Sequence, residues 1–182
     1  MDVEPLELSG ALLITPRVFS DERGLFYESF QKERYRGAGI ETDFVQDNFS
    51  RSAKGTVRGL HYQAPPFAQG KLLTVIEGAA LDVIVDIRFG SPTFGEHVAV
   101  RLDDQTRRQV WAPRGFMHGF AALTDSVLFH YKCDNVYDKQ SERAVIFDDP
   151  DLAVDWGVAD PIVSDKDARA GAFADINRDF HF

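Results

Sequence analysis

Leu81, Val83, Val85 and Ile87 alternate with Asp82, Ile84, Asp86 and Arg88, and further on Val98, Val100 and Leu102 alternate with His97, Ala99 and Arg101. A period of two sends successive side chains to opposite faces of an extended chain, so both segments are predicted strands. Further strands are expected at Leu72–Glu77, Gln109–Ala112, Val127–Lys132 and Ala144–Phe147. Glu77-Gly78, Phe89-Gly90-Ser91-Pro92, Leu102-Asp103-Asp104 and Ala112-Pro113-Arg114-Gly115 separate them as turn signals. Short strands with turns at roughly 8- to 12-residue spacing make a mainly β domain, a sandwich or a barrel.

Helices are few in this pattern. One is expected over Phe30–Arg36, stopped by Gly37 and Gly39, and a short one after Ser164. Residues 148–161 read as an irregular arm that Trp156 packs down on the barrel. No repeat or linker divides the 182 residues, so 1–182 is read as one domain, large enough for a single core. The 15 Phe strengthen the β reading, because phenylalanine packs well on pleated surfaces. The single cysteine, Cys133, excludes an internal disulfide and suits a reducing compartment. An acidic N-terminal start and the lack of an apolar run of about 20 residues point to the cytoplasm and away from a membrane. The formal net charge of −9 argues against binding nucleic acid over a broad face.

That acidity makes one stretch conspicuous: Asn48–Ile76 carries Arg51, Lys54, Arg58 and Lys71 and no acid. A local cationic zone in an acidic chain suits a small anionic ligand. The five histidines divide by position. His181 is in the tail, His97 opposes the apolar face of its strand, and His130 reads as a satisfied or solvated strand residue. His61 lies in the acid-free stretch, and the cations Arg58 and Lys71 disfavour its charged form, so it is the candidate base. His118 lies in a second acid-free stretch, Gln105–Thr124, and stays open between a structural and a functional role. Tyr131 shares the inward face of Val127 and Phe129 and by itself reads as a core aromatic. Tyr137 carries less signal still. Asp167 reads as part of a helix start capped by Ser164.

Pro113-Arg114-Gly115-Phe116-Met117-His118 has the spacing of the second cupin motif, in which a tight turn delivers a histidine to the mouth of a β barrel. The first motif is degraded: His61-Tyr62-Gln63 replaces the usual histidine pair, and Lys71 stands where the metal-binding pattern has a glutamate. An ammonium there repels a divalent cation and leaves the ligand set incomplete, so no metal or other cofactor is expected.

Taken in order, Arg23-Gly24-Leu25-Phe26-Tyr27-Glu28, Gln46-Asp47-Asn48, Arg58-Gly59-Leu60-His61-Tyr62-Gln63, Gln69-Gly70-Lys71, Pro113 to His118, Tyr131-Lys132-Cys133 and Ser164-Asp165-Lys166-Asp167 resemble the dTDP-4-dehydrorhamnose 3,5-epimerase family. That resemblance implies a cupin-type jelly-roll barrel with a few short helices, acting on a 4-keto-6-deoxyhexose carried by a nucleoside diphosphate, usually thymidine. It implies His61 as the base, Asp167 as the carboxylate that orients it, Lys71 as the stabiliser of the enolate oxygen, and Tyr131 as the acid on the opposite ring face. Arg58, Gln46, Asn48, His118 and Tyr137 match substrate-site positions. Arg23, Phe26 and Glu28 match others, with Arg23 and Glu28 supplied across a homodimer by exchange of N-terminal strands. Related enzymes that invert only C3 or only C5, or that use another nucleoside diphosphate, fit the same residues. A non-catalytic sugar-nucleotide-binding cupin would keep Arg58 but has no need of His61, Tyr131 and Asp167 together.

Two features cut across the resemblance. Arg58 and His61 have opposite strand parity, so both reach the lumen only if Gly59 permits a bulge or Arg58 acts from the rim. Phe49 stands where the family commonly has histidine, a change expected near the nucleotide.

Overall fold

A computed structural model describes residues 1–182. Four short N-terminal strands come first: β1 (Asp2–Pro5), β2 (Leu12–Thr15), β3 (Val18–Asp21) and β4 (Gly24–Tyr27), followed by the helix α1 (Lys32–Arg36). The barrel is built from β5 (Gln46–Ala53), β6 (Val57–Gln63), β7 (Lys71–Glu77), β8 (Ala79–Asp86), β9 (His97–Asp103), β10 (Gln109–Ala112), β11 (Phe116–Ala122) and β12 (Ser126–Cys133). A short β13 (Glu142–Ala144) and two single-turn 3-10 helices, Asp167–Arg169 and Phe173–Asp175, complete the chain.

The barrel strands pair as nested antiparallel partners, β5 with β12, β6 with β11, β7 with β10 and β8 with β9. This is a long hairpin rolled up on itself, the jelly roll. One sheet runs β1-β2-β10-β7-β12-β5 and the other β13-β6-β11-β8-β9, while β3 and β4 form a separate two-stranded ribbon.

Two apolar cores follow from the two faces of the second sheet. The lumen between the sheets holds Leu73, Val75, Ile84, Leu102, Val110, Val127 and Phe129, with Phe120 and Phe129 stacked at 4.3 Å. The outer face of β8, β11 and β6 is also buried, under a C-terminal arm that presses Val145, Leu152 and Trp156 onto Val83, Val85, Leu60 and Met117. Each large aliphatic group so covered contributes about 1.5–3 kcal/mol. Trp156 donates its indole N–H to the Phe147 carbonyl at 2.7 Å, which ties the arm to itself at the contact.

Several expectations shift. The alternation of Leu81 to Arg88 has its apolar set, with Val83 and Val85, on the outer face, while Asp82 shares the lumen face with Ile84. The strand expected at Ala144–Phe147 starts two residues earlier and ends three earlier, as β13 (Glu142–Ala144). β11 is buried at every position, so it carries no polar alternation to read. The helix after Ser164 is a single 3-10 turn. His181 is not loose: it bridges to Phe89, and the two rings lie 6.1 Å apart.

Candidate active site

The site forms where β6 departs from regular pairing with β11. His61 faces His118 and Arg58 faces Phe120, so Gly59 and Leu60 together oppose the single residue Gly119. This extra residue reverses side-chain parity, as a β-bulge does, and it puts Arg58 and His61 on the same, lumenal side. The parity conflict is thus resolved by the bulge. Glycine is required on both strands here: a Cβ on Gly59, whose φ is +133°, would lie 2.6 Å from the Gly119 Cα, and one on Gly119 would lie 2.8 Å from the Arg58 carbonyl oxygen.

Above the bulge, His61 Nε2 contacts Asp167 Oδ1 at 2.6 Å. Asp167 comes from outside the barrel, on the 3-10 turn, where its N–H donates to Ser164 Oγ at 3.1 Å and its other carboxylate oxygen accepts the Gly59 N–H at 3.4 Å. Ser164 thus takes the Asp167 N–H from just before the turn, whose own cap position is Lys166, and the Asp167 carboxylate is left for His61 and the Gly59 N–H. Burial disfavours that carboxylate, but the hydrogen bond and charge of His61 outweigh it and hold its pKa below the ordinary range.

A cavity of about 560 Å³ opens beside this pair and is lined by Arg58, His61, Lys71, His118, Phe120, Tyr131, Lys166 and Asp167, among others. A second recess of about 260 Å³ is lined by Gln46, Asn48, Gln69, Tyr137 and Glu142. His61, Lys71 and Tyr131 belong to both, so they stand at the junction. Lys71 Nζ lies 6.0 Å from the centre of the Tyr131 ring. Burial pushes the Lys71 ammonium below its usual pKa, opposed by Cys133, Asp82 and Glu142, and pushes the Tyr131 hydroxyl up. Tyr131 is therefore a proton-bearing phenol at neutral pH.

The wall of the smaller recess is an ordered chain of amides. The Tyr137 N–H donates to Gln46 Oε1 at 2.9 Å, Gln46 Nε2 to Asn48 Oδ1 at 3.1 Å, and Asn48 Nδ2 to Cys133 Sγ at 3.6 Å. Cys133 is buried, and its thiol is pushed up to about 11 by desolvation, so it accepts here as a neutral group.

His118 lines the larger cavity, opposite His61. It lies inside β11 and its Nε2 meets Asp82 Oδ1 at 2.6 Å. Burial pushes its pKa down against the pull of Asp82. The expected substrate residues divide cleanly. Arg58, His118, Gln46, Asn48 and Tyr137 line the two recesses, whereas Arg23, Phe26 and Glu28 do not. Arg23 pairs with Asp21 on the β3–β4 ribbon, Glu28 pairs with Arg34 at 2.7 Å, and Phe26 is 69% exposed. Phe49 lines neither recess: it is exposed on β5 and packs at a tilt on His130, 4.6 Å between ring centres. His130 in turn meets Asp47 at 2.9 Å.

Asp82, Glu142 and Lys166 belong to the site without standing out in the sequence. For Asp82 a signal existed, since an acid inside an apolar strand needs a buried partner. Glu142 and Lys166 look like any solvated charge.

No three His, Cys, Asp or Glu side chains converge as a metal-ligand group. What the lumen gathers instead is an imidazole on a carboxylate, an ammonium and a phenol around one cavity, which makes this a cupin-type barrel equipped for acid–base chemistry. Comparison with known proteins narrows that class. A model of the dTDP-4-dehydrorhamnose 3,5-epimerase family matches residues 5–175, and the chain belongs to that family. A dTDP-4-dehydrorhamnose 3,5-epimerase of Shigella flexneri is 47% identical over 178 residues, 97% of this chain and 98% of the relative. The crystal structure of a dTDP-6-deoxy-D-glucose-3,5-epimerase from Legionella pneumophila, in complex with dTDP-4-keto-L-rhamnose, superimposes with a TM-score of 0.96 at 45% identity, covering 100% of this chain and 98% of that one. A 3'-monoepimerase from Streptomyces bikiniensis, in complex with dTDP-quinovose, superimposes at 0.88 with 37% identity, covering 93% and 87%.

Proposed function

We propose that this chain inverts C3 and C5 of a dTDP-4-keto-6-deoxyhexose in the biosynthesis of a rhamnose-type deoxysugar. The observation that carries the reading is the 2.6 Å contact of His61 with Asp167 on the cavity that also exposes Lys71 and Tyr131. Family membership supplies the substrate class.

The C4 ketone acidifies the C–H bonds at C3 and C5. Asp167 accepts a hydrogen bond from the Nε2–H of His61 and fixes that tautomer, which leaves the Nδ1 lone pair as base. Nδ1 takes the proton from carbon, the C–H electron pair moves into the ring, and charge accumulates on the C4 oxygen. Lys71 stabilises that oxygen, an effect strengthened by the low dielectric of the lumen. Tyr131 then gives its proton to the opposite face of the same carbon, and the charges on His61 and Tyr131 are reset from solvent before the second carbon reacts. A neutral phenol, kept protonated by burial, suits the donor role.

Arg23, Phe26 and Glu28 do not line their own chain's recesses, and the ribbon that carries Arg23 and Phe26 exposes Phe19, Leu25 and Phe26. We assign the protein as a homodimer in which this ribbon completes the partner's site, with residues 1–182 as one domain. The reduced Cys133 suits the cytoplasm, where we place the reaction.

The deciding experiment is NMR of dTDP-4-keto-6-deoxyglucose incubated with the protein in heavy water. Deuterium at both C3 and C5 supports the reading. Deuterium at a single carbon makes the chain a mono-epimerase, as the Streptomyces relative is named, and deuterium at neither overturns both for this substrate.

A further inference from the structure

No hydrogen bond or ion pair holds the side chain of Lys71, whose Nζ lies 6.0 Å from the centre of the Tyr131 ring. A group that stabilises charge on one substrate oxygen has to be placed to within about half an ångström. For Lys71 that placing falls to the backbone.

The backbone is pinned at one point. Lys71 opens β7, which runs between β10 and β12, and the last residues of those strands, Ala112 and Cys133, stand on either side of it. One residue before it, the Gly70 N–H donates to Asp134 Oδ1 at 2.7 Å, and the Gly70 carbonyl accepts the Asp134 N–H at 3.1 Å. The other carboxylate oxygen, Oδ2, accepts from Arg114 Nε at 3.0 Å and from Thr42 Oγ1 at 3.1 Å. Arg114 belongs to the turn after β10 and Asp134 follows β12, so their ion pair closes over the start of β7 from one flanking strand to the other. The fit is close: the Asp134 side chain is 5% exposed, and a Cβ on Gly70 would lie 2.6 Å from the Trp111 ring and 3.0 Å from Asp134 Oδ2. Asp134, Arg114 and Thr42 line neither recess, so this clasp acts on the site only through the residue it holds.

We propose that Asp134 is a positioning residue for catalysis: clasped by Arg114 and Thr42, its carboxylate fixes Gly70 and thereby sets the Lys71 ammonium against the C4 oxygen of the substrate. This rests on the role given to Lys71 above and adds the residue that makes that role precise. Without the carboxylate the start of β7 is free to shift, and the ammonium shifts with it. Gln69, which lines the smaller recess, keeps its own bond to the Asn135 carbonyl at 2.8 Å, so the nucleotide loses little. The loss therefore falls on the rate of enolate formation and spares binding.

Deuterium incorporation into saturating dTDP-4-keto-6-deoxyglucose in heavy water, followed over long incubations and set beside dTDP affinity by calorimetry, tests this. Asp134→Ala is expected to lower kcat by about 10- to 100-fold, the cost of a misplacement of about 1 Å, with dTDP affinity changed by less than about threefold. Asp134→Asn, which keeps an acceptor for the Gly70 N–H, is expected to recover most of the rate. In a chain that already carries Lys71→Met, Asp134→Ala is expected to remove no further rate, because no ammonium is left to misplace. A general structural defect would lower the rate in that background too. Thr42→Val combined with Arg114→Ala leaves the carboxylate but frees Oδ2, and is expected to cost about 2- to 5-fold in kcat; it takes the place of Asp134→Ala should that variant not fold. Unchanged kcat, an equal loss in the Lys71→Met background, or a loss of dTDP affinity as large as the loss of kcat overturns the clasp. If Lys71→Met alone exchanges at the wild-type rate, the role of Lys71 falls and the clasp with it; if the wild-type chain exchanges no deuterium, the epimerase reading itself falls for this substrate.

Discussion

The barrel contains two histidine–aspartate pairs, His61–Asp167 and His118–Asp82, both at 2.6 Å, with the two histidines directly opposite each other across β6 and β11. Distance does not tell them apart. Access does: the His61 side chain is 29% exposed and the His118 side chain 9%. The carboxylates differ as well. Asp167 arrives from the C-terminal arm and also accepts the Gly59 N–H, whereas Asp82 rises from the lumen face of β8 and its Oδ2 has no hydrogen-bond partner. A histidine–carboxylate contact becomes a proton-transfer device only where the second ring nitrogen can meet substrate and the ring can gain and lose charge. Where the imidazole is mostly buried, as His118 is on the cavity wall, the same contact first of all satisfies buried polar atoms.

Substitution at His61 separates the pairs most sharply. His61→Asn is expected to lower the rate of deuterium incorporation from heavy water by about 10²- to 10⁴-fold, the usual span for a general base, with dTDP affinity by calorimetry little changed. A variant that keeps more than a tenth of the rate removes His61 from the role of base. Asp167→Asn is expected to cost about 10²-fold or more in kcat, because an amide no longer selects the Nε2–H tautomer. Its pH–rate profile should shift together with the loss, which a merely structural role for Asp167 would not produce.

The more buried pair predicts the opposite emphasis. Asp82→Ala leaves His118 without its partner in the lumen and is expected to cost about 1–3 kcal/mol of stability, read as a lower denaturation midpoint in urea. A loss of stability at Asp167→Ala equal to that at Asp82→Ala would erase the distinction between the pairs. The smallest effect is on pH dependence. Burial lowers the folded pKa of His118 below its ordinary value of 6.5, so unfolding takes up a proton there; stability is full above about pH 6.5 and declines as pH falls below it. Asp167, also lowered, contributes stability above its ordinary 3.8 that is lost only as pH drops further. Thermal unfolding between pH 7.5 and 5.5 should therefore flatten in His118→Gln and keep its slope in Asp167→Asn.

Much of the barrel is legible in the sequence, because a strand with one face in the lumen and one in water alternates visibly. β9 shows it: Val98, Val100 and Leu102 turn inward while Arg101 is exposed. That alternation disappears where both faces are covered. β11 has no exposed residue, and the apolar set of β8 that looks like a lumen face is packed beneath the arm of Leu152 and Trp156. The site was legible in unequal parts. His61 stands out by its acid-free surroundings, but Tyr131 and Asp167 have ordinary structural readings as a core aromatic and part of a capped turn, and only the family pattern lifts them. Glu142 and Lys166 acquire meaning from a contact across 24 residues of sequence that no local pattern encodes.

The bulge at Gly59 and Leu60 also sets a condition on anyone moving this chemistry to another scaffold. Copying Arg58 and His61 onto a regular strand of a different jelly roll would aim one of them away from the ligand, however well the remaining side chains were chosen. The portable unit is the two-strand patch of Arg58 to His61 with Gly119 facing it, spare residue included. A one-residue deletion in that patch is in effect a frame change for orientation: it would turn His61 and Gln63 toward the arm and bring Tyr62 into the lumen.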